Sequence, residues 1–264
     1  AWAGRRGLPV ETVVLEPAPG WSFLEAIVLR GYTAPSPMFR WCTNHLKARP
    51  ARRLVRSLGW SRGETGVVTG VRVEESSSRR GRGCPLCHAP PGTRPPAIDY
   101  GVPVTPLASW GSGDVWDYLE SQKPVWGGGF DGLLEIYGPR RRLERQRFGC
   151  ALCPLIKRDD SAWGLAERGL IDPEAPGLAR EWVRLYLRVS RVEPWRWREP
   201  REPRGRYRLP YGRLKWEARL LLLERLLDYT GRSPSLCEAV QPMLARLGLR
   251  CGGCLEDFTP PSHG

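Results

Sequence analysis

Val10-Glu11-Thr12-Val13-Val14-Leu15-Glu16, then the turn Pro17-Ala18-Pro19-Gly20, then Trp21-Ser22-Phe23-Leu24-Glu25-Ala26-Ile27-Val28-Leu29-Arg30-Gly31, is the stretch on which the fold class turns. Its first part is short and β-branched and stops at a Pro/Gly turn, which predicts a strand. In its second part Ser22 is placed to cap a helix whose apolar side is Phe23, Leu24, Ile27, Val28 and Leu29, with Gly31 as the stop. A strand leading straight into a helix is the repeating unit of α/β folds.

Downstream, the loop Gly31–Pro37 delivers Phe39-Arg40-Trp41-Cys42-Thr43 to the start of a second helix with a basic tail of Lys47, Arg49, Arg52, Arg53 and Arg56. Gly66–Val71 is a continuous apolar run bounded by glycine, as expected for a strand covered on both faces. It exits into Arg72-Val73-Glu74-Glu75-Ser76-Ser77-Ser78-Arg79. Ligands of open α/β sheets sit at the carboxyl ends of strands, so this exit suits a phosphate-bearing ligand; a solvated Ser/Arg loop is the plainer reading. Ser112 or Asp114 is expected to cap a helix carrying Val115, Trp116 and Leu119, closed by Gly127–Gly129.

Ser161–Gly169, Gly177–Val192 and Leu214–Tyr229 read as helices, the last stopped by Gly231. Ser235 with Glu238 three residues on has the form of a capping box for a final helix ending near Gly248. Between them, 193–212 shows little periodicity. Its Trp195, Trp197, Tyr207, Tyr211 and arginines suit either base stacking or a Pro/Arg-rich linker.

A length of 264 residues fits one α/β domain with a helical appendage. The formal net charge of +13 and pI of about 9.8 favour an anionic partner such as a nucleotide, tRNA or DNA, or else an Arg-rich surface of the thermophile kind. The longest apolar patch, Leu220–Leu223, is flanked by Arg219 and Glu224, far short of the ~18 residues a membrane span needs, so no membrane partner is expected. No secretory leader is legible, and Trp2–Gly7 reads as the middle of a longer sequence.

Three cysteine pairs have Cys-x-x-Cys spacing: Cys84/Cys87, Cys150/Cys153 and Cys251/Cys254. In an intracellular chain this spacing reads as metal binding before disulfides, which places the protein in a reducing cytoplasm. A turn of backbone aims both sulfurs of such a pair at one metal or one iron–sulfur cluster. Cys84/Cys87 and Cys251/Cys254 can together complete a zinc site. Alternatively one of them supplies a further cluster ligand, or Cys251/Cys254 is a redox pair. Cys237 is expected as a buried apolar thiol on a helix, and His45 as a helix-surface residue.

Four blocks taken in order carry a resemblance: Ser22-Phe23, Gly31-Tyr32 and Phe39–Lys47; Gly70–Arg79; Pro106–Trp110 with Asp114–Leu119; and Arg147–Cys153 with Lys157, Asp160 and Ser161. Together they resemble the phosphoadenosine phosphosulfate (PAPS) reductase family of the adenine-nucleotide α-hydrolase-like superfamily. The nearest look is to the DndC-like sulfurtransferases of DNA phosphorothioation. The resemblance implies a HUP-like parallel sheet with flanking helices over residues 1–165 and a mostly helical, basic region over 166–264. It also implies a 4Fe–4S cluster held by Cys42, Cys150 and Cys153, with Cys42 and Lys47 in the catalytic site. Arg72, Glu75, Ser76 and Arg79 are implied near the phosphates or sulfate of an adenine nucleotide, either ATP or PAPS/APS.

Two departures from the family pattern stand out. The family's phosphate loop is missing, and the order of the other blocks places it upstream of Ala1, so the sequence is expected to be N-terminally incomplete; the alternative is that the protein has lost nucleotide hydrolysis. The family's fourth cluster ligand falls where this chain has Gly138-Pro139-Arg140-Arg141-Arg142, without a cysteine. The function implied is an iron–sulfur enzyme of sulfur metabolism, reducing an adenylylated sulfate or passing sulfur to an acceptor such as DNA or tRNA, with a partner protein as electron or sulfur donor. The contrasting expectation is a zinc-stabilised, non-catalytic nucleic-acid-binding module.

Overall fold

Ser22 and Glu25 start the first helix reciprocally: the Glu25 amide donates to Ser22 Oγ at 3.4 Å, and the Ser22 amide donates to the Glu25 carboxylate at 2.9 Å. This capping box satisfies two amides that the first turn leaves without carbonyl partners. The helix Phe23–Val28 follows, with Leu24, Ile27 and Val28 buried as the apolar pattern predicts, Phe23 and Leu29 half-buried, and Glu25 and Ala26 buried as well. The structure, a computed structural model, describes residues 5–61, 63–72, 74, 100–125, 127–137, 152–156, 160–202 and 210–258. The chain divides into two compact units, one of residues 18–42 and 145–264, the other of 1–17 and 43–144.

The described residues of the first unit are mostly helical. Phe23–Val28 packs on Trp216–Arg232 and Pro234–Ala245, and both of these pack on Ala175–Leu187. Their facing sides supply one continuous core, with Trp182, Tyr186, Leu222, Leu226, Leu236 and Leu244 each 2% exposed or less. Each large apolar side chain so buried contributes about 1.5–3 kcal/mol relative to exposure. Trp182 also carries a polar N–H into this core, and donates it to the Leu222 carbonyl at 2.8 Å. The residues 193–212, which lack periodicity, contain a short helix Pro194–Trp197 and an antiparallel pair, Arg198–Pro200 with Tyr211–Leu214. Side-chain alternation is weak there because the pair is short and held by a guanidinium: Arg198 donates to the carbonyls of Gly212, Tyr211 and Ser190 at 2.9, 2.7 and 3.2 Å.

Two helix boundaries differ from expectation. Trp216–Arg232 runs through Gly231 and ends at Ser233. That serine, and not Ser235, caps the next helix, accepting from the Leu236 amide at 3.0 Å. Ser235 is drawn away because its hydroxyl accepts from the Asp172 amide at 3.0 Å.

In the second unit the helix Arg49–Ser57 follows a π-helical turn, Asn44–Ala48, and the helix Ser112–Ser121 is capped at Gly111, not at Ser112 or Asp114, with the Asp114 carboxylate accepting from the Gly111 amide. Gly66–Val68 pairs in parallel with Val102–Val104, in register Gly66 with Val102 and Val68 with Val104. This two-stranded ladder is the extent of parallel pairing among the described residues. Val68 is 70% exposed, so the ladder is not covered on both faces as its apolar run predicted. The segment Val10–Glu16 forms no strand. A strand needs a neighbour for its backbone groups. Here Val10 and Val14 are 69% and 83% exposed, and the Glu16 carbonyl is taken by the Arg53 guanidinium at 2.7 Å.

Candidate functional site

Cys42 is positioned by its neighbour. Trp41 is buried, donates its indole N–H to the Thr33 carbonyl at 2.9 Å, and stacks on Phe23 at 5.5 Å between ring centres. Tyr32 adds a tilted contact to Trp41 at 4.8 Å. With Trp41 locked this way, Cys42 sits half-buried against the same core as a free thiol.

Cys153 is set in the same manner by Leu152, which is 4% exposed and belongs to that core. Cys153 is also free and half-buried, and its carbonyl accepts from the Ile156 amide at 3.4 Å. Arg180, on the helix Ala175–Leu187, donates to the Ile156 carbonyl at 2.7 Å and ties the segment to that helix. The same helix carries Tyr186. Burial first, and then the charge Cys42 has as a thiolate, hold the Tyr186 phenol well above its usual pKa, while Arg191 opposes. Tyr186 therefore stays protonated and donates to the Tyr32 carbonyl at 2.9 Å. Two of the three implied cluster thiols thus belong to one unit and one core. The third, Cys150, lies outside the described residues, and among those residues no three His, Cys, Asp or Glu side chains gather as a metal site.

Glu75, Ser76 and Arg79 lie outside the described residues, and Lys47 is exposed in the π-helical turn of the other unit. Arg72 is 17% exposed, donates to Ser112 Oγ at 3.3 Å and approaches Glu74 at 3.9 Å. Glu74 in turn accepts from the Ser112 amide at 2.6 Å, and Asp114 accepts from the Gly111 amide at 2.7 Å. The positive end of this helix is therefore filled by the chain's own carboxylates, and an incoming phosphate at Arg72 competes with Glu74. The sequence signals marked Arg72 but missed Glu74, because nothing in a linear reading shows that it reaches a helix start 38 residues away.

The remaining cysteines need a correction. Cys84 and Cys87 lie outside the described residues. Cys251 is not paired with Cys254: it forms a disulfide with Cys237, and Cys254 is a free, exposed thiol. Cys237 is accordingly a half-buried disulfide partner and not an apolar free thiol. Sulfurs in a disulfide are not thiolate donors, so a zinc site using Cys251 and Cys254 requires the reduced chain. His45 is buried and not on a helix surface. No helix among the described residues is long and apolar enough to cross a membrane. Compared with known proteins, the chain matches no family model, no curated protein and no solved structure.

Proposed function

We propose that the chain is an iron–sulfur enzyme of sulfur metabolism with PAPS reductase-type chemistry, acting in the cytoplasm on an adenine-nucleotide sulfur substrate or transferring sulfur to an acceptor such as nucleic acid. The observation that carries this reading is that Cys42 and Cys153, distant in sequence, are both free thiols fixed by core-buried neighbours of one hydrophobic core. Donor chemistry fits: with Cys150 they are three soft thiolates, the ligands a 4Fe–4S cluster takes. When bound, such a cluster supplies one iron without a protein ligand, which can act as a Lewis acid toward sulfur.

The chain's own residues have clear tasks in this reading. Phe23, Tyr32 and Trp41 form an aromatic cluster that holds the backbone next to Cys42. Tyr186 keeps its proton and fixes the Tyr32 backbone. Arg72 is the guanidinium suited to bidentate contact with a phosphate or sulfate. The net charge of +13 supports a nucleic-acid acceptor over a small nucleotide alone, since a nucleotide needs only a local basic pocket.

The test is anaerobic purification with iron, acid-labile sulfide and zinc quantified for the wild type, Cys42→Ala, Cys150→Ala and Cys153→Ala. Iron and sulfide with absorbance near roughly 400 nm, as cluster thiolates give, and lost in each variant, is the expected result. Full iron in all three variants removes the cluster assignment. Zinc alone with no visible chromophore replaces the enzyme by the non-catalytic nucleic-acid-binding reading.

A further inference from the structure

The helix Trp216–Arg232 and the turn Cys251-Gly252-Gly253-Cys254 enclose a groove of about 470 Å³ lined by Glu224, Asp228, Arg232, Cys254 and Leu255. That volume is within the range of small-molecule sites. The turn is held down: the Gly252 amide donates to Thr230 Oγ1 at 3.2 Å, and a Cβ on Gly252 (φ +64°) would lie 3.3 Å from the Gly231 Cα. One free, exposed thiol, Cys254, thus lines a groove three residues from Cys251, and Cys251 is already in a disulfide with half-buried Cys237. The geometry points to a three-cysteine thiol–disulfide exchange site, in which Cys254 is the surface thiol through which a dithiol in the groove reduces the Cys237–Cys251 disulfide. This inference is independent of any iron.

The exchange balances without an added oxidant. The Cys254 thiolate attacks Cys251 Sγ, the Cys237–Cys251 bond breaks as the Cys251–Cys254 bond forms, and Cys237 leaves as a thiolate that takes up the proton Cys254 gave to solvent. An incoming dithiol then attacks Cys254 Sγ, forming a mixed disulfide and releasing Cys251 as a thiolate. Its second thiol displaces Cys254. The dithiol is oxidised to its disulfide, and two electrons reach the Cys237/Cys251 pair. Exposure favours attack at Cys254, since exchange depends on access to the sulfur as well as on thiolate character.

Peptide chemistry can follow this in the whole protein. Tryptic cleavage after Arg232, Arg246 and Arg250 leaves Cys237 on peptide 233–246 and both other cysteines on the peptide that begins at Cys251. Oxidised protein is treated with limiting dithiothreitol, quenched with iodoacetamide at intervals and mapped. The expected result is a transient form with alkylated Cys237 and an internal Cys251–Cys254 disulfide. In Cys254→Ser the same disulfide should be reduced at least about tenfold more slowly, because only the less accessible sulfurs remain. The absence of that transient in the wild type, or reduction of Cys254→Ser at the wild-type rate, overturns the proposal.

Discussion

Asp172 and Ser235 exchange hydrogen bonds: the Asp172 amide donates to Ser235 Oγ at 3.0 Å, and the Ser235 amide donates to Asp172 Oδ2 at 2.9 Å. The same carboxylate accepts from the Ser233 hydroxyl at 2.7 Å and from the Ala175 amide at 2.8 Å. One side chain therefore serves the first turns of two helices, Ala175–Leu187 and Pro234–Ala245, and fixes the distance between them.

Asp172→Ala should cost about 2 kcal/mol of stability in urea denaturation, at the upper end for a lost cap. The pH dependence has a definite sign. Desolvation, the largest single influence, raises the Asp172 pKa, but the hydrogen bonds from Ser233, Ser235 and Ala175 together outweigh it and hold it below the usual value. The stability this carboxylate contributes is therefore complete above its unfolded-chain pKa of about 3.9 and is lost as pH falls through the lower folded value. Asp172→Ala should show a shallower loss of stability below that pH than the wild type; identical acid profiles would refute this role.

Gly31→Ala should destabilise more than the same change at Gly169. Both glycines have φ near +68°, where an L residue costs about 1–2 kcal/mol. Nothing lies within 4 Å of a Cβ built on Gly169, whereas one on Gly31 meets the Arg219 guanidinium at 2.6 Å. Arg219 cannot swing away cheaply, because it donates to the Leu214 carbonyl at 2.7 Å and to the Leu29 carbonyl at 3.4 Å. Thermal or chemical denaturation of the two variants side by side isolates the clash; equal losses would mean Arg219 moves freely.

Trp182→Ala should cost about 3–5 kcal/mol, since it opens a cavity in the core, where Trp182 is 1% exposed, and removes the donor to Leu222. Loss of near-ultraviolet circular dichroism with helical signal retained is the expected spectroscopic signature. A variant as stable as the wild type would show that the core can collapse around the gap.

Arg72→Ala should weaken phosphosulfate-nucleotide binding by about 2 kcal/mol, as loss of a charged hydrogen-bond partner does. Glu74→Gln should strengthen it, because the amide still accepts from the Ser112 amide but no longer neutralises the guanidinium. Calorimetry reads both. Unchanged affinity in Arg72→Ala removes that residue from the pocket.

Where the sequence could be read correctly, short-range physics was enough. Ser22 and Gly31 bracket a helix whose apolar face is spaced for burial, and caps and stops act over three or four residues. The helical character of 160–167, 175–192, 216–232 and 234–245 was legible for the same reason. Strands were legible only in part, because a strand exists only through its partner: Gly66–Val68 is one, within the apolar run that predicted it. Val10–Glu16 has the composition of one and no pairing among the described residues, while Arg198–Pro200 has little strand character and is paired with Tyr211–Leu214.

Cysteine spacing shows the same limit. Cys251-Gly252-Gly253-Cys254 announces a local pair, yet packing of the tail brings Cys251 to Cys237 on the helix Pro234–Ala245. Sequence alone fixed the chemical inventory: an arginine-rich chain of net charge +13, eight cysteines, and amphipathic helices with their own start and stop residues. Only the tertiary structure decided which sulfurs meet, which carboxylate occupies the helix start beside Arg72, and that Trp41 and Leu152 draw Cys42 and Cys153 to one core. The reason is that capping and amphipathicity are encoded within a turn or two, whereas pairing depends on contacts between segments that loop closure and burial select jointly.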